Sequence, residues 1–529
     1  MLTKVLTAIM LVIFFAVMIG IGIRCRRHAT DVNSFVLGGR SVGPWLTAFA
    51  FGTSYFSAVI FVGYAGQFGW NFGLASTWIG LGNAFIGSLL PWVILGRRTR
   101  LMTQQLESKT MPDFFAKRFG APYLKTIASV IVFVFLIPYT ASLYNGLSSL
   151  FNIAFDIPYW VVIAIMSVLT GIYVIFGGYM ATAINDFIQG IIMLVGIVCV
   201  VAAVLAANGG LGGATEALSQ IPSPYVESAG NAGAFTSFFG TQPVFLVVVV
   251  LLTSLGTWGL PQMVGKFYSI KNEDAVKKGT VISTIFAIIV AGGCYFLGGF
   301  ARLYSDNASI YGANGAVMFD RIIPTMLSTM PALIVAIVIV LVLSASMSTL
   351  SSLVLTSAST ITLDVVFSKG NVTEKKKVFV MRLFIVFFIV VSAVIAYLKD
   401  TYNFSMIAQM MGVSWGALAG AFLAPFLYGL YSKRTTVASV IVSFVFGVGL
   451  TSVMLLKSLG VIALPATGFI GFVFKTSLHC GVYAMVGGLI LVPLVSLFTK
   501  KPDKKKVDEI FSCYDRTVEV SVKDSIGNN

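Results

Sequence analysis

Apolar runs of bilayer-crossing length follow one another along almost the whole chain, divided by short polar segments. A helix needs about twenty mostly apolar residues to cross the hydrocarbon core. By that measure the sequence predicts thirteen spans, at roughly 5–23, 44–71, 75–96, 126–153, 158–177, 182–206, 243–264, 279–301, 327–366, 379–398, 404–431, 435–456 and 480–499. No charge or strong turn signal divides 327–366, so it reads as one long, tilted or bent helix. The runs are too long and too uniformly apolar for barrel strands, which alternate over about ten residues. The prediction is an all-α polytopic membrane protein.

Composition sharpens what the pattern excludes. The 529 residues are 57% hydrophobic and only 10% charged, whereas soluble domains carry about 25% charged residues. A soluble enzyme, a nucleic-acid binder and a disordered chain are all excluded. The 52 glycines and 16 prolines suit interrupted membrane helices.

The net charge of +15 tests the topology. With an odd number of spans, placing the N-terminus outside puts 29 of the 35 Lys and Arg residues on the inner side. Only Lys4, Arg302, Arg321, Lys399, Lys457 and Lys475 then fall outside. Positive residues accumulate in inner loops, so the expected orientation is N-terminus outside and C-terminus inside, and no nucleic-acid partner is needed. The first span follows a single lysine and precedes the basic cluster Arg24–Arg27, which favours a retained helix over a cleaved signal peptide. The five cysteines (Cys25, Cys199, Cys294, Cys480, Cys513) show neither disulfide nor metal-ligand spacing.

Three polar features interrupt the apolar runs. Asp186 stands in 182–206, and an ionisable group at membrane depth is a functional hypothesis by default. No basic residue is expected in a neighbouring span, which leaves a mobile cation as its partner; the alternative is a helix cap at the water interface. Gly52-Thr53-Ser54-Tyr55-Phe56-Ser57 and Gly256-Thr257-Trp258-Gly259-Leu260-Pro261 read as breaks in the second and seventh spans. Such breaks free backbone carbonyls that must find partners inside the membrane, and a desolvated Na⁺ takes oxygen ligands; the alternative is a packing kink. The two breaks open consecutive five-helix sets, the sequence pointer to an inverted repeat with a midplane site. Finally, Ala345, Ser348, Thr349 and Ser352 share one helical face with Ser351 beside it, either as a cation site or as hydroxyls that bond the preceding turn or let helices approach closely.

These elements together resemble the sodium/solute symporter family over nearly the whole chain. The resemblance rests on Leu37-Gly38-Gly39-Arg40-Ser41, Gly177-Gly178 leading to Asn185-Asp186-Phe187-Ile188-Gln189-Gly190, Leu260-Pro261-Gln262, and Ser346-Met347-Ser348-Thr349-Leu350-Ser351-Ser352. It implies a LeuT-like five-plus-five inverted repeat of about thirteen transmembrane helices. An extra helix and basic loop (1–43) would precede the repeats at 44–206 and 243–431, joined by an extracellular loop (207–242). Two peripheral helices (432–499) and a cytoplasmic tail (500–529) would follow.

The resemblance also implies a sodium site made by the carbonyls of Thr53, Phe56 and Ala345 and the hydroxyls of Ser348 and Thr349. A second sodium, present in some members, would fall on Asp186, Ser348, Ser351 and Ser352. Family substrates contact the first break, here Tyr55, Ser57 and Ile60. Proline-carrying members have an acidic residue at the Tyr55 position, and sugar carriers a polar amide near Ile60. The patterns at Tyr55–Ala58 and Asn185–Gly190 are closer to pantothenate carriers. Gln67, Asn145, Trp258 and Gln409 are further pocket candidates, each with a packing or interfacial role as the alternative.

The expected function is sodium-coupled symport of a small polar organic solute, such as pantothenate, an amino acid or another small carboxylate, across a bacterial inner membrane, with Na⁺ as coupling ion and no organic cofactor. The alternatives are a proton-coupled permease using Asp186, a sugar or sialic-acid symporter, a transport-like sensor and a channel. His28 and His479 lie near span ends and no paired carboxylates occur at depth, which argues against an intramembrane enzyme. The sequence is silent on oligomeric state.

Overall fold

The computed structural model describes residues 2–155, 157–225, 230–312, 315–368, 372–402 and 407–515. The last part of the tail, 516–529, therefore lies outside the described residues. Among the described residues the chain is helical, with two isolated β-bridges and no strand. Among the described residues ten helices are long and apolar enough to cross a membrane, and eleven if one bent pair is taken as a single span.

That count is lower than thirteen for a local reason. Two helices, Val59–Gln105 and Tyr159–Ala207, run for 47 and 49 residues and absorb two pairs of predicted stretches. At 1.5 Å per residue each stretch holds about 70 Å of chain if helical throughout, twice what one crossing of a ~30 Å core requires. Each also contains a glycine outside the helical region: Gly73 at φ 62°, ψ −141° and Gly178 at φ 55°, ψ −151°. Side chains other than hydrogen are strained at such positive φ, so the sequence marks both points.

The principal helices are α1 (Leu2–Cys25), α2 (Pro44–Tyr55), α3 (Val59–Gln105), α4 (Tyr123–Phe155), α5 (Tyr159–Ala207), α6 (Pro243–Leu255), α7 (Pro261–Tyr268), α8 (Glu273–Gly298), α9 (Ala332–Thr360), α10 (Glu374–Tyr402), α11 (Ile407–Tyr431), α12 (Val437–Ser458), α13 (Ser477–Phe498) and α14 (Lys504–Phe511). The stretch 327–366 is one helix from Ala332, after Pro331, prolonged by a wider turn at Ile361–Val366.

Every residue of α9 from Val338 to Leu355 is buried. A helix covered on all sides is a core helix, and α9 packs against α1, α2, α4 and α5. Helices α11, α12 and α13 are mutual neighbours, and α11 also packs against α4. Large apolar side chains are exposed on outer helices, including Val12 on α1, Val281 on α8, Phe387 on α10 and Val445 on α12. The predicted loop 207–242 contains a short helix, Gly210–Ser219, whose Ala214 and Leu218 pack with Phe235 and Phe300.

Candidate functional site

The two predicted breaks are both present. Helix α2 starts on Pro44 and ends at Tyr55; Phe56 follows at φ −99°, ψ 90°, which turns its carbonyl out of the helical ladder. The chain resumes through a wide turn at Val59–Tyr64. Gly52 is required by close packing, because a Cβ there would lie 2.4 Å from the Phe286 ring. In the second break, α6 passes through a tight turn at Gly256–Trp258 to extended Leu260 (φ −81°, ψ 121°), and Pro261 begins α7. Helices α6 and α7 meet at 41°. A Cβ on Gly256 would sit 2.5 Å from the Trp415 ring, so this glycine admits Trp415 to the break.

Four of the five expected sodium ligands converge through hydrogen bonds. The Thr53 carbonyl accepts from the Ser348 hydroxyl at 3.0 Å and from the Thr349 hydroxyl at 3.2 Å. The same hydroxyls reach the Ala345 carbonyl at 3.2 and 3.1 Å. Phe56, the fifth, is fully buried with its ring stacked on Tyr55 at 4.3 Å between centroids. These four groups offer neutral carbonyl and hydroxyl oxygens, the element hard cations bind, and they join the break of α2 to the core helix α9.

The expected absence of a basic partner for Asp186 is overturned. Lys266, counted from the sequence with the inner-loop cations, is only 4% exposed. Its Nζ lies 3.6 Å from Oδ2 of Asp186 and donates to the Ser352 hydroxyl at 2.9 Å. It also lies 5.4 Å from the centre of the Tyr179 ring. Of the residues anticipated for a second sodium, Asp186 and Ser352 are thus brought together around a lysine. Ser352 is in turn bonded to Ser54 at 2.8 Å, and the Ser351 hydroxyl donates to the Ser348 carbonyl at 2.9 Å.

The candidate solute residues separate into two groups. Tyr55 donates to the Thr253 carbonyl at 2.6 Å and lies 6.1 Å from Trp415 between ring centroids. Trp415 lies 6.0 Å from Tyr139 in an edge-on contact, and the Tyr139 hydroxyl faces Ser57 and Trp415. Sequence reasoning missed Tyr139 and Trp415, which sit in apolar runs and look like core aromatics. Asn145, two turns beyond Tyr139 on α4, lies 3.8 Å from the sulfur of Met410, the neighbour of half-buried Gln409. The others are placed differently. Trp258 is committed to the Ile86 carbonyl at 2.9 Å, as in its packing alternative. Gln67 is buried one turn before Asn71, whose side chain accepts from Tyr225 at 2.7 Å.

The beginning of α2 and the end of α7 are fastened together. Val42 and Ile270 form a parallel bridge: Val42 N–H donates to Ser269 at 3.1 Å, and Lys271 N–H donates to Val42 at 3.1 Å. The Arg40 guanidinium donates to the carbonyls of Ser108 at 2.6 Å, Tyr268 at 3.2 Å and Thr103 at 3.3 Å. Nearby, Lys125 joins Asp113 (3.1 Å) and Asp364 (3.3 Å). A cavity lined by Gln262, Lys266, Tyr179, Thr182, Ser352 and Thr356 lies beside this end of the molecule.

Comparison with known proteins agrees with this architecture. The chain is 29% identical over 501 residues to the osmoregulated proline transporter of Bacillus subtilis (strain 168), covering 93% of this chain and 94% of that one. It is 26% identical to sodium/proline symporter 2 of Staphylococcus saprophyticus, covering 94% and 93%. Among solved structures, a Na⁺-coupled sialic acid symporter in a substrate-bound outward-open state superposes with a TM-score of 0.72 at 16% identity, covering 95% of this chain and 99% of that one; this likeness shows a common fold. Residues 35–447 match the family model described as sodium:solute symporter family. The chain is a multi-pass transporter of the cell membrane rather than an enzyme, and it belongs to the sodium:solute symporter family.

Proposed function

We propose that the chain imports a small polar organic solute, coupled to sodium entry, by alternating access. The observation that carries this reading is the Thr53 carbonyl, which meets two hydroxyls of α9 at the point where α2 unwinds. A sodium ion taking Thr53, Phe56, Ala345, Ser348 and Thr349 as ligands would tie the unwound segment to the core helix. That order favours the solute-competent shape, so ion and solute bind cooperatively, each raising the affinity of the other. On the inner side low sodium releases the ion and loosens the tie. One charge falling through 100 mV supplies about 2.3 kcal/mol, and a tenfold gradient adds about 1.4 kcal/mol. Together they sustain roughly 500-fold accumulation per ion.

The solute is placed beside Tyr55, Ser57, Tyr139 and Trp415, with Asn145 and Gln409 further along the same path. These groups are aromatic or polar and all neutral, which suits a compact amino acid or other small carboxylate held by hydroxyls and stacking. The proline transporters among the relatives make proline the first candidate, although Tyr55 stands where proline carriers have an acidic residue. Pantothenate is the second candidate. In the membrane we read thirteen crossings with the N-terminus outside, the two long helices α3 and α5 each turning at their glycine.

The test is uptake into vesicles of proline, other amino acids, pantothenate, sugars and sialic acid, with sodium or with choline on both sides. Accumulation of one class only under a sodium gradient supports the reading. Equal accumulation in choline sinks it, and uptake driven by a pH step without sodium would favour proton coupling.

A further inference from the structure

We propose that the Lys266 ammonium is the resident cation of the Asp186–Ser352 site, and that the chain therefore carries one sodium ion per cycle. The proposal rests on the sodium reading above for the first site, and concerns only the second set of oxygens.

A buried ammonium is strongly disfavoured unless it is paired and hydrogen-bonded. Lys266 meets both conditions with groups that would otherwise suit a metal cation: the Asp186 carboxylate at 3.6 Å and the Ser352 hydroxyl at 2.9 Å. The π-face of Tyr179, 5.4 Å away, is a third favourable partner. Neither side-chain oxygen of Asp186 makes a hydrogen bond among the described residues, and Lys266, 3.6 Å away, is the positive charge that balances it. Ammonium and sodium carry the same charge and both seek oxygen. A sodium ion entering here would face the Asp186 oxygens with a fixed positive charge beside it and one of its hydroxyl ligands already taken.

The tether changes what the cation can do. A sodium ion leaves on each cycle, whereas Lys266 stays on α7 and moves with it. Ser352 extends the network to Ser54, at 2.8 Å, the residue after Thr53. The resident charge thus holds the second set of oxygens against the broken helix without a second ion.

The decisive measurement is the number of ²²Na⁺ ions bound per chain at saturation, in purified protein without solute, for the wild type, Lys266→Ala and Lys266→Arg. The expected counts are one, two and one, with the Hill coefficient for sodium rising from 1 toward 2 in the alanine variant. A count of two in the wild type overturns the proposal, as does a folded Lys266→Ala that binds no more than the wild type. A count of zero in the wild type defeats the first sodium site instead; gain of one ion in Lys266→Ala then still supports the resident lysine, and no gain overturns it. Should the alanine variant not fold, Lys266→Gln takes its place and is read in the same way.

Discussion

The Tyr55 hydroxyl donates to the Thr253 carbonyl at 2.6 Å, joining the unwound end of one broken helix to the last turn of the other. Carbonyls in a final helical turn lack intrahelical partners, and Thr253 lies two residues before the end of α6. Tyr55→Phe keeps the ring and removes this donor. Leaving a buried acceptor unsatisfied costs about 1–3 kcal/mol. The expected outcome is a lower thermal midpoint and slower uptake; if neither moves, the bond couples nothing.

Ser348→Ala and Thr349→Ala should each raise the sodium concentration for half-maximal uptake. Each loss of a direct oxygen ligand is expected to cost on the order of 1.4 kcal/mol, a factor of about ten. Sodium-dependence curves at fixed solute concentration read this directly. Unchanged half-saturation in both variants would eliminate the proposed site.

Gly256→Ala should drive its new methyl into the Trp415 ring, where a Cβ would be 2.5 Å from ring carbon. Overpacking of this kind costs about 1–3 kcal/mol. Because Trp415 also contacts Tyr55 and Tyr139, solute affinity should fall with stability. Trp415→Phe in the same chain should recover part of the thermal midpoint, and failure to do so would place the clash elsewhere.

Arg40→Ala should loosen the end where α2 and α7 are fastened. The guanidinium donates to three different carbonyls, a pattern a lysine point charge does not reproduce. In a cysteine-free background carrying Gln262→Cys, a thiol reagent confined to the inner side should label several-fold faster once Arg40 is removed. Equal labelling rates would show that Arg40 does not restrain this end.

What was legible in the sequence follows physical lines. The two breaks were readable because Gly, Pro and small hydroxyl residues interrupt an otherwise continuous apolar period. The face Ala345, Ser348, Thr349 and Ser352 was readable because helical geometry fixes spacing regardless of what lies opposite. Lys266 was misread because a lysine eight residues after Trp258, followed by Lys271, Lys277 and Lys278, has the signature of an inner loop. Only the bend of α7 carries it back into the protein. Tyr139 and Trp415 were missed because an aromatic in an apolar run has the same pattern whether it fills a core or lines a pocket. The interruptions at Gly73 and Gly178 were less legible for a related reason: hydropathy reports where the chain is apolar, whereas these breaks in the two long helices are set by backbone torsions.

The bridge between Val42 and Ile270 uses peptide groups alone. Substitutions there, proline excepted, leave both donors and both acceptors intact. The two halves can therefore drift in sequence at this seam while retaining the same grip on each other, and selection should act on the surrounding side chains, Arg40 first among them.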